Sequence, residues 1–70
     1  MKHYTISVND TELEKLNRVY QYHQIEDNNP YLLFHASHNG IEILAYKTGK
    51  VLIQGKEVTH ELISIKKHLN

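Results

Sequence analysis

The stretch from Leu32 to Gln54 constrains the fold more than any other part of the chain. It alternates apolar and polar residues and is interrupted twice by turn signals. Asn39-Gly40 is the strongest short hairpin signal, because both residues accept the positive φ angles of a type I′ turn. That turn pairs His38 with Ile41, Ala36 with Ile43 and Phe34 with Ala45. The second turn, Tyr46-Lys47-Thr48-Gly49-Lys50, permits two registers. A two-residue Thr48-Gly49 turn sets Tyr46 beside Val51 and mixes the faces. A three-residue loop with Gly49 left-handed, making a bulge, pairs Tyr46 with Lys50. The second sorts the side chains better, and a one-residue slip would exchange every one of them between faces. One face then carries Leu32, Phe34, Ala36, Ile41, Ile43, Ala45, Val51 and Ile53. The other carries Leu33, His35, Ser37, Glu42, Leu44, Tyr46, Lys50, Leu52 and Gln54. The first is the expected core.

Two helices and one more strand complete the pattern. His3–Val8 alternates, with Tyr4, Ile6 and Val8 opposite His3, Thr5 and Ser7, and reads as a strand. Asn9 with Glu12 three residues on forms a capping box, and Leu13, Leu16, Val19 and Tyr20 make an apolar stripe to about Tyr22. Glu26-Asp27-Asn28-Asn29-Pro30 is a polar break. After Gly55 a second helix is expected from Lys56 or Glu57, with Val58, Leu62, Ile65 and Leu69 on one side. The expectation is a single α+β domain over residues 1–70. Its sheet has four antiparallel strands in the order β-α-β-β-β-α, with two helices on one face and the other face open.

Composition narrows the function classes. The 70 residues contain no Cys, which excludes disulfides, thiolate zinc sites and a cysteine nucleophile. Eight Lys+Arg balance eight Asp+Glu, so the chain is not built for indiscriminate polyanion binding. The balance is uneven along the chain. Asp10, Glu12, Glu14, Glu26 and Asp27 outnumber the bases before residue 41, and Lys47, Lys50, Lys56, Lys66 and Lys67 outnumber the acids after it. A chain of this size buries only about 60% of the surface its unfolded form exposes. The first residues lack an apolar signal core and no run approaches membrane-spanning length, so a cytoplasmic location with no membrane partner is expected.

Catalytic constellations are sparse. His35 and His38 fall on opposite sheet faces, and His60 and His68 are two turns apart on one helix. Neither pair suggests a metal site, and no cofactor is expected. Glu57 and Glu61 read as the polar face of an exposed helix. Ser7, Ser37 and Ser64 lack a partner that would activate them, and Gly49-Lys50 lacks the rest of a phosphate-binding loop. The chain alone is not expected to be an enzyme. Three leucines on the open face, Leu33, Leu44 and Leu52, exceed what a solvated sheet requires, and the same face could take a nucleic acid or a protein.

The segment Ile43-Leu44-Ala45-Tyr46-Lys47-Thr48-Gly49-Lys50-Val51-Leu52-Ile53-Gln54-Gly55 resembles the amino-terminal domain of bacterial ribonuclease HIII. Ala45-Tyr46, Thr48-Gly49-Lys50 and Gln54-Gly55 carry the resemblance, with Thr48 where Ser is usual, and the order of elements agrees along essentially the whole chain. The resemblance implies a TATA-binding-protein-like fold, a curved antiparallel sheet backed by two helices. It also implies a substrate-binding accessory role toward RNA/DNA hybrid. The family continues into a metal-dependent catalytic domain. This sequence ends at Asn70, which leaves open whether it is an excised domain or a free-standing relative.

On this reading the nucleic-acid-binding residues are Tyr46, Lys47, Lys50, Leu52, Gln54 and Lys56. Lys47 and Lys50 flank the bulged turn as phosphate contacts, and Tyr46 and Gln54 can donate hydrogen bonds to phosphate or sugar oxygens. Lys56 stands near a helix start, where backbone amides can receive a phosphate. Leu52 supplies apolar surface. The alternative is a protein-interaction module that pairs with itself, a nuclease or a replication protein through the Leu33, Leu44, Leu52 surface.

Overall fold

A computed structural model describes residues 2–69. The elements run β1 (Lys2–Ser7), α1 (Asp10–Val19), β2 (Gln24–Ile25), β3 (Leu32–His38), β4 (Ile41–Tyr46), β5 (Lys50–Gly55) and α2 (Val58–Leu69). All strand pairs are antiparallel, in the spatial order β1-β5-β4-β3-β2. The α+β architecture, with both helices on one face of an open sheet, is as the sequence implied. The strand count is not. The sheet has five strands rather than four, because Gln24 and Ile25 pair with Ala36 and His35.

Both registers follow from turn chemistry. Asn39 and Gly40 have φ of 51° and 76°, as a type I′ turn requires, and His38 pairs with Ile41. At the second turn Ala45 pairs with Val51 and Leu44 with Leu52, the bulged register. Gly49 sits at φ 98°, and its N–H bonds the Tyr46 carbonyl at 2.9 Å. A Cβ there would lie 2.5 Å from the Val8 carbonyl oxygen, so only glycine lets the turn seat beside the end of β1. One irregularity was not foreseen. A bulge between Leu32 and Phe34 brings Leu32, rather than Leu33, opposite Tyr46.

The capping box of α1 is complete. The Asn9 side chain accepts from the Glu12 N–H at 2.8 Å, and the Glu12 carboxylate accepts from the Asn9 N–H at 2.9 Å. The helix ends at Val19, earlier than the expected Tyr22. Tyr20 is pulled under the sheet, where its ring stacks on Phe34, and the chain turns through His23 into β2. Helix α2 starts at Val58, one or two residues later than expected.

Leu13 and Leu16 of α1 and Val58 and Ile65 of α2 cover Phe34, Ala36, Ile41, Ile43, Ala45, Val51 and Ile53 of the sheet. Every sheet residue assigned to the core from the alternation is buried. Sealing side chains such as Leu16, Ile43 and Ile53 is worth roughly 1.5–3 kcal/mol each before conformational entropy is subtracted.

Candidate nucleic-acid interface

The open face is built from alternate residues of five strands. Directly opposed residues of antiparallel strands share a face, so the pairings assemble it into rows. One row runs His3, Gln54, Glu42, Ser37. The central row runs Thr5, Leu52, Leu44, His35, Ile25. A third begins Ser7, Lys50, and the bulged register sets Tyr46 next on β4. Leu44, Leu52, Tyr46 and Gln54 are half-buried by their neighbours, and Lys50 is exposed. Leu33 stands in the bulge, exposed.

Tyr46, Lys50, Leu52 and Gln54 therefore share one surface. Lys47 lies in the β4–β5 turn, its N–H held by the Tyr31 carbonyl at 2.9 Å, and flanks the same end. Lys56 does not join them. It follows Gly55 at the far end of β5, about 20 Å from Lys50 at roughly 3.3 Å per strand residue. It lies near Lys2, whose pairing partner is Gly55.

Across the sheet the charge reverses. His35 holds two carboxylates, with Nδ1 2.8 Å from Asp27 Oδ2 and Nε2 3.2 Å from Glu42 Oε1. Asp27 is placed by the polar break, which folds as consecutive turns. Its Oδ1 accepts the Asn29 N–H at 2.9 Å, and Asn29 Oδ1 accepts the Tyr31 N–H at 2.9 Å. The Asn29 N–H first, and the His35 ring second, hold the Asp27 carboxyl below its ordinary value of 3.8. On this face Lys50 is the one lysine of β1 and β5, whereas Asp27 and Glu42 set two carboxylates around His35 of β3.

The helix-covered side holds a second polar cluster. Glu61 was expected on an exposed helix face and is instead buried. Its Oε2 accepts the Tyr20 hydroxyl at 2.5 Å, and its Oε1 lies 3.0 Å from His38 Nδ1. The His23 ring packs 4.5 Å from that of His38. Burial first, and then the Glu61 carboxylate, push the Tyr20 phenol well above its ordinary value of 10.0. A signal for this was present in the sequence. Glu61 is three residues after Val58 and four before Ile65, which puts it on the buried stripe of α2. His35 and His38 are on opposite faces, as the register required.

Among the described residues no three metal-ligating side chains converge, and no pocket is enclosed. Among the described residues no helix is long and apolar enough to cross a membrane. The open face offers hydrogen-bonding groups on both sides of an apolar central row, which suits a broad partner better than an engulfed small molecule.

Residues 3–64 match a family described as Domain of unknown function (DUF3378). The chain belongs to that family. It is 38% identical over 47 residues to Ribonuclease HIII of Streptococcus agalactiae, a match covering 67% of this chain and 16% of the relative. It is 32% identical over 68 residues to Ribonuclease HIII of Phytoplasma mali, covering 94% of this chain and 24% of the relative. The fold superposes on the crystal structure of Aquifex aeolicus RNase H3 with a TM-score of 0.79 at 28% identity, over 93% of this chain and 26% of that one. It superposes equally, with a TM-score of 0.79 at 31% identity, on Bst-RNase HIII in complex with Mn2+, over 90% of this chain and 20% of that one. The resemblance to the amino-terminal domain of ribonuclease HIII, read from Ile43–Gly55, therefore extends over the fold. The chain spans less than a quarter of the length of these curated relatives, and the matches lie in their amino-terminal part.

Proposed function

We propose that this domain is a non-catalytic accessory that binds nucleic acid, with RNA/DNA hybrid as its preferred partner, through the open sheet face. The observation that carries this is the gathering of Tyr46, Lys50, Leu52 and Gln54 on the one face the helices leave free. Similarity to relatives named ribonuclease supports a polyanionic, RNA-containing partner for that face. The curved, TATA-binding-protein-like description of the sheet belongs to this reading. Lys50 with Lys47 contacts one stretch of backbone, and Lys56 contacts phosphate further along it. Tyr46 and Gln54 donate to sugar or phosphate oxygens, a ribose 2′-hydroxyl among them. Asp27 and Glu42 repel phosphate and confine the duplex to the β1–β5 side.

The test is fluorescence anisotropy with labelled RNA/DNA hybrid, duplex DNA and duplex RNA at several salt concentrations. Tightest binding to hybrid, weakening with salt, is expected, and Lys50→Ala should reduce the salt slope by about one. Absence of binding to every duplex at low salt overturns the reading. One observation favours a protein partner instead. Ile25, 46% exposed, adds apolar surface to the row of Leu52 and Leu44 on the far side of His35. A partner protein whose capture is abolished by Leu44→Lys, with no duplex bound, would establish that alternative.

A further inference from the structure

The cluster around Glu61 leaves one chemically useful group unspent. His38 Nδ1 lies 3.0 Å from Glu61 Oε1. A carboxylate can only accept, so Nδ1 carries the imidazole proton and the lone pair stands on Nε2, across the ring. His38 is partly exposed, and the Asn39 side-chain amide, 3.4 Å from Nε2, is too distant for more than a weak bond. An imidazole held by carboxylate at one nitrogen and open at the other has the arrangement that orients a metal-ligating histidine.

A second imidazole stands beside it. His23 is exposed, and its ring centroid is 4.5 Å from that of His38, with the planes tilted by 53°. Its backbone is held on both sides. The N–H donates to the Tyr20 carbonyl at 2.9 Å, and the carbonyl accepts the Ser37 N–H at 2.9 Å. Among the described residues the hydrogen bonds of histidine rings belong to His35 and His38, so both ring nitrogens of His23 are free. Two imidazoles on one zinc ion, with Zn–N bonds of about 2.0–2.1 Å and an N–Zn–N angle of about 90–109°, have centroids about 4.5–5.2 Å apart. The fold already holds the pair at that separation, and the exposed His23 ring has room to turn a nitrogen toward the ion.

We propose that His23 and His38 Nε2 form a binding site for a divalent transition-metal ion that favours imidazole, Zn2+ above all, with Glu61 fixing the ligating tautomer of His38. Two protein ligands leave the other coordination positions to water, so this is a surface clip rather than a closed structural centre. It joins the α1–β2 connection to the end of β3. No spacing in the sequence announces it, because the two histidines meet only when β2 pairs with β3. Unfolding separates them, so bound metal favours the folded chain.

Calorimetric titration of the full chain with zinc chloride, from low-micromolar to sub-millimolar concentration at neutral pH, tests this. One ion per chain is expected to bind saturably and to raise the melting temperature, with EDTA reversing the rise. His23→Ala, at an exposed position, should abolish both effects. Glu61→Gln, which can still accept from the Tyr20 hydroxyl, should weaken affinity about tenfold or more. His60→Ala, on the exposed side of α2, should change neither. In long-range proton–nitrogen spectra, zinc should shift the ring nitrogens of His23 and His38 together. Absence of saturable binding overturns the site. So does binding that survives His23→Ala or is lost in His60→Ala.

Discussion

The two faces of the sheet treat the same kinds of residue in opposite ways. On β3, His38 looks toward the helices and His35 toward solvent, and each meets carboxylate. His38 shares the buried Glu61 with the Tyr20 hydroxyl, so three elements far apart in sequence are tied at one carboxylate. His35 bridges Asp27 and Glu42, whose charges remain partly hydrated. The apolar residues divide likewise. Leu16 is sealed under α1, while Leu44 and Leu52 are screened mainly by their neighbours in the sheet. The comparison teaches that one face holds the domain together and the other is shaped for contact, with polar groups on both.

The sharpest way to break the comparison is to shorten one leucine on each face. Leu16→Ala is expected to cost about 2–5 kcal/mol in urea denaturation, close to the whole stability of so small a domain. Leu44→Ala should cost less than about 1 kcal/mol. Equal losses would mean that the open face is as structural as the covered one. Next in size is the turn that aligns both faces. Gly49→Ala meets the Val8 carbonyl and an unfavourable φ together, and should lose about 1–3 kcal/mol.

The carboxylates provide a finer contrast. Glu61→Ala strands a buried tyrosine hydroxyl and should cost about 1–3 kcal/mol, whereas Glu42→Ala should stay within about 0.5 kcal/mol. In duplex titrations the order reverses, with Glu42→Ala tightening binding slightly and Glu61→Ala leaving it unchanged in the folded fraction. The smallest expected effects are in pH. Because the Tyr20 phenol is raised in the folded state, stability is retained below the ordinary tyrosine value of 10.0 and declines above it. Tyr20→Phe should flatten that alkaline limb. Asp27 is lowered, so its contribution is present above 3.8 and is lost as pH falls through the folded value. Asp27→Asn should flatten part of the acid limb in a thermal-melt series.

What could be read in the residues and what could not separate along a physical line. Strand alternation, the Asn39-Gly40 turn, the left-handed Gly49 and the Asn9–Glu12 box are local, and each lies where it was expected. Local stereochemistry dictated them, and with them the division of Leu32–Gln54 between two faces. Tyr46, Lys50, Leu52 and Gln54 were brought to one surface by the same register. Lys56 was not, because distance along a strand separates residues that lie close in sequence to the others.

The remainder depended on contacts between distant segments. Gln24-Ile25 carries no strand signal of its own and became β2 because β3 offered an edge. Helix α1 stops at Val19, and Tyr20 at its C-cap turns its side chain onto Phe34 and Glu61. Asp27 and Glu42 met at His35 only after the loop and β4 were laid beside β3. The sequence by itself determined the elements, their turns and which side of each strand is apolar, since these follow from backbone stereochemistry and periodicity. Only the tertiary structure decided the fifth strand, the buried Glu61 and the acidic half of the open face. Each of these is a balance of desolvation against partners supplied from elsewhere in the chain.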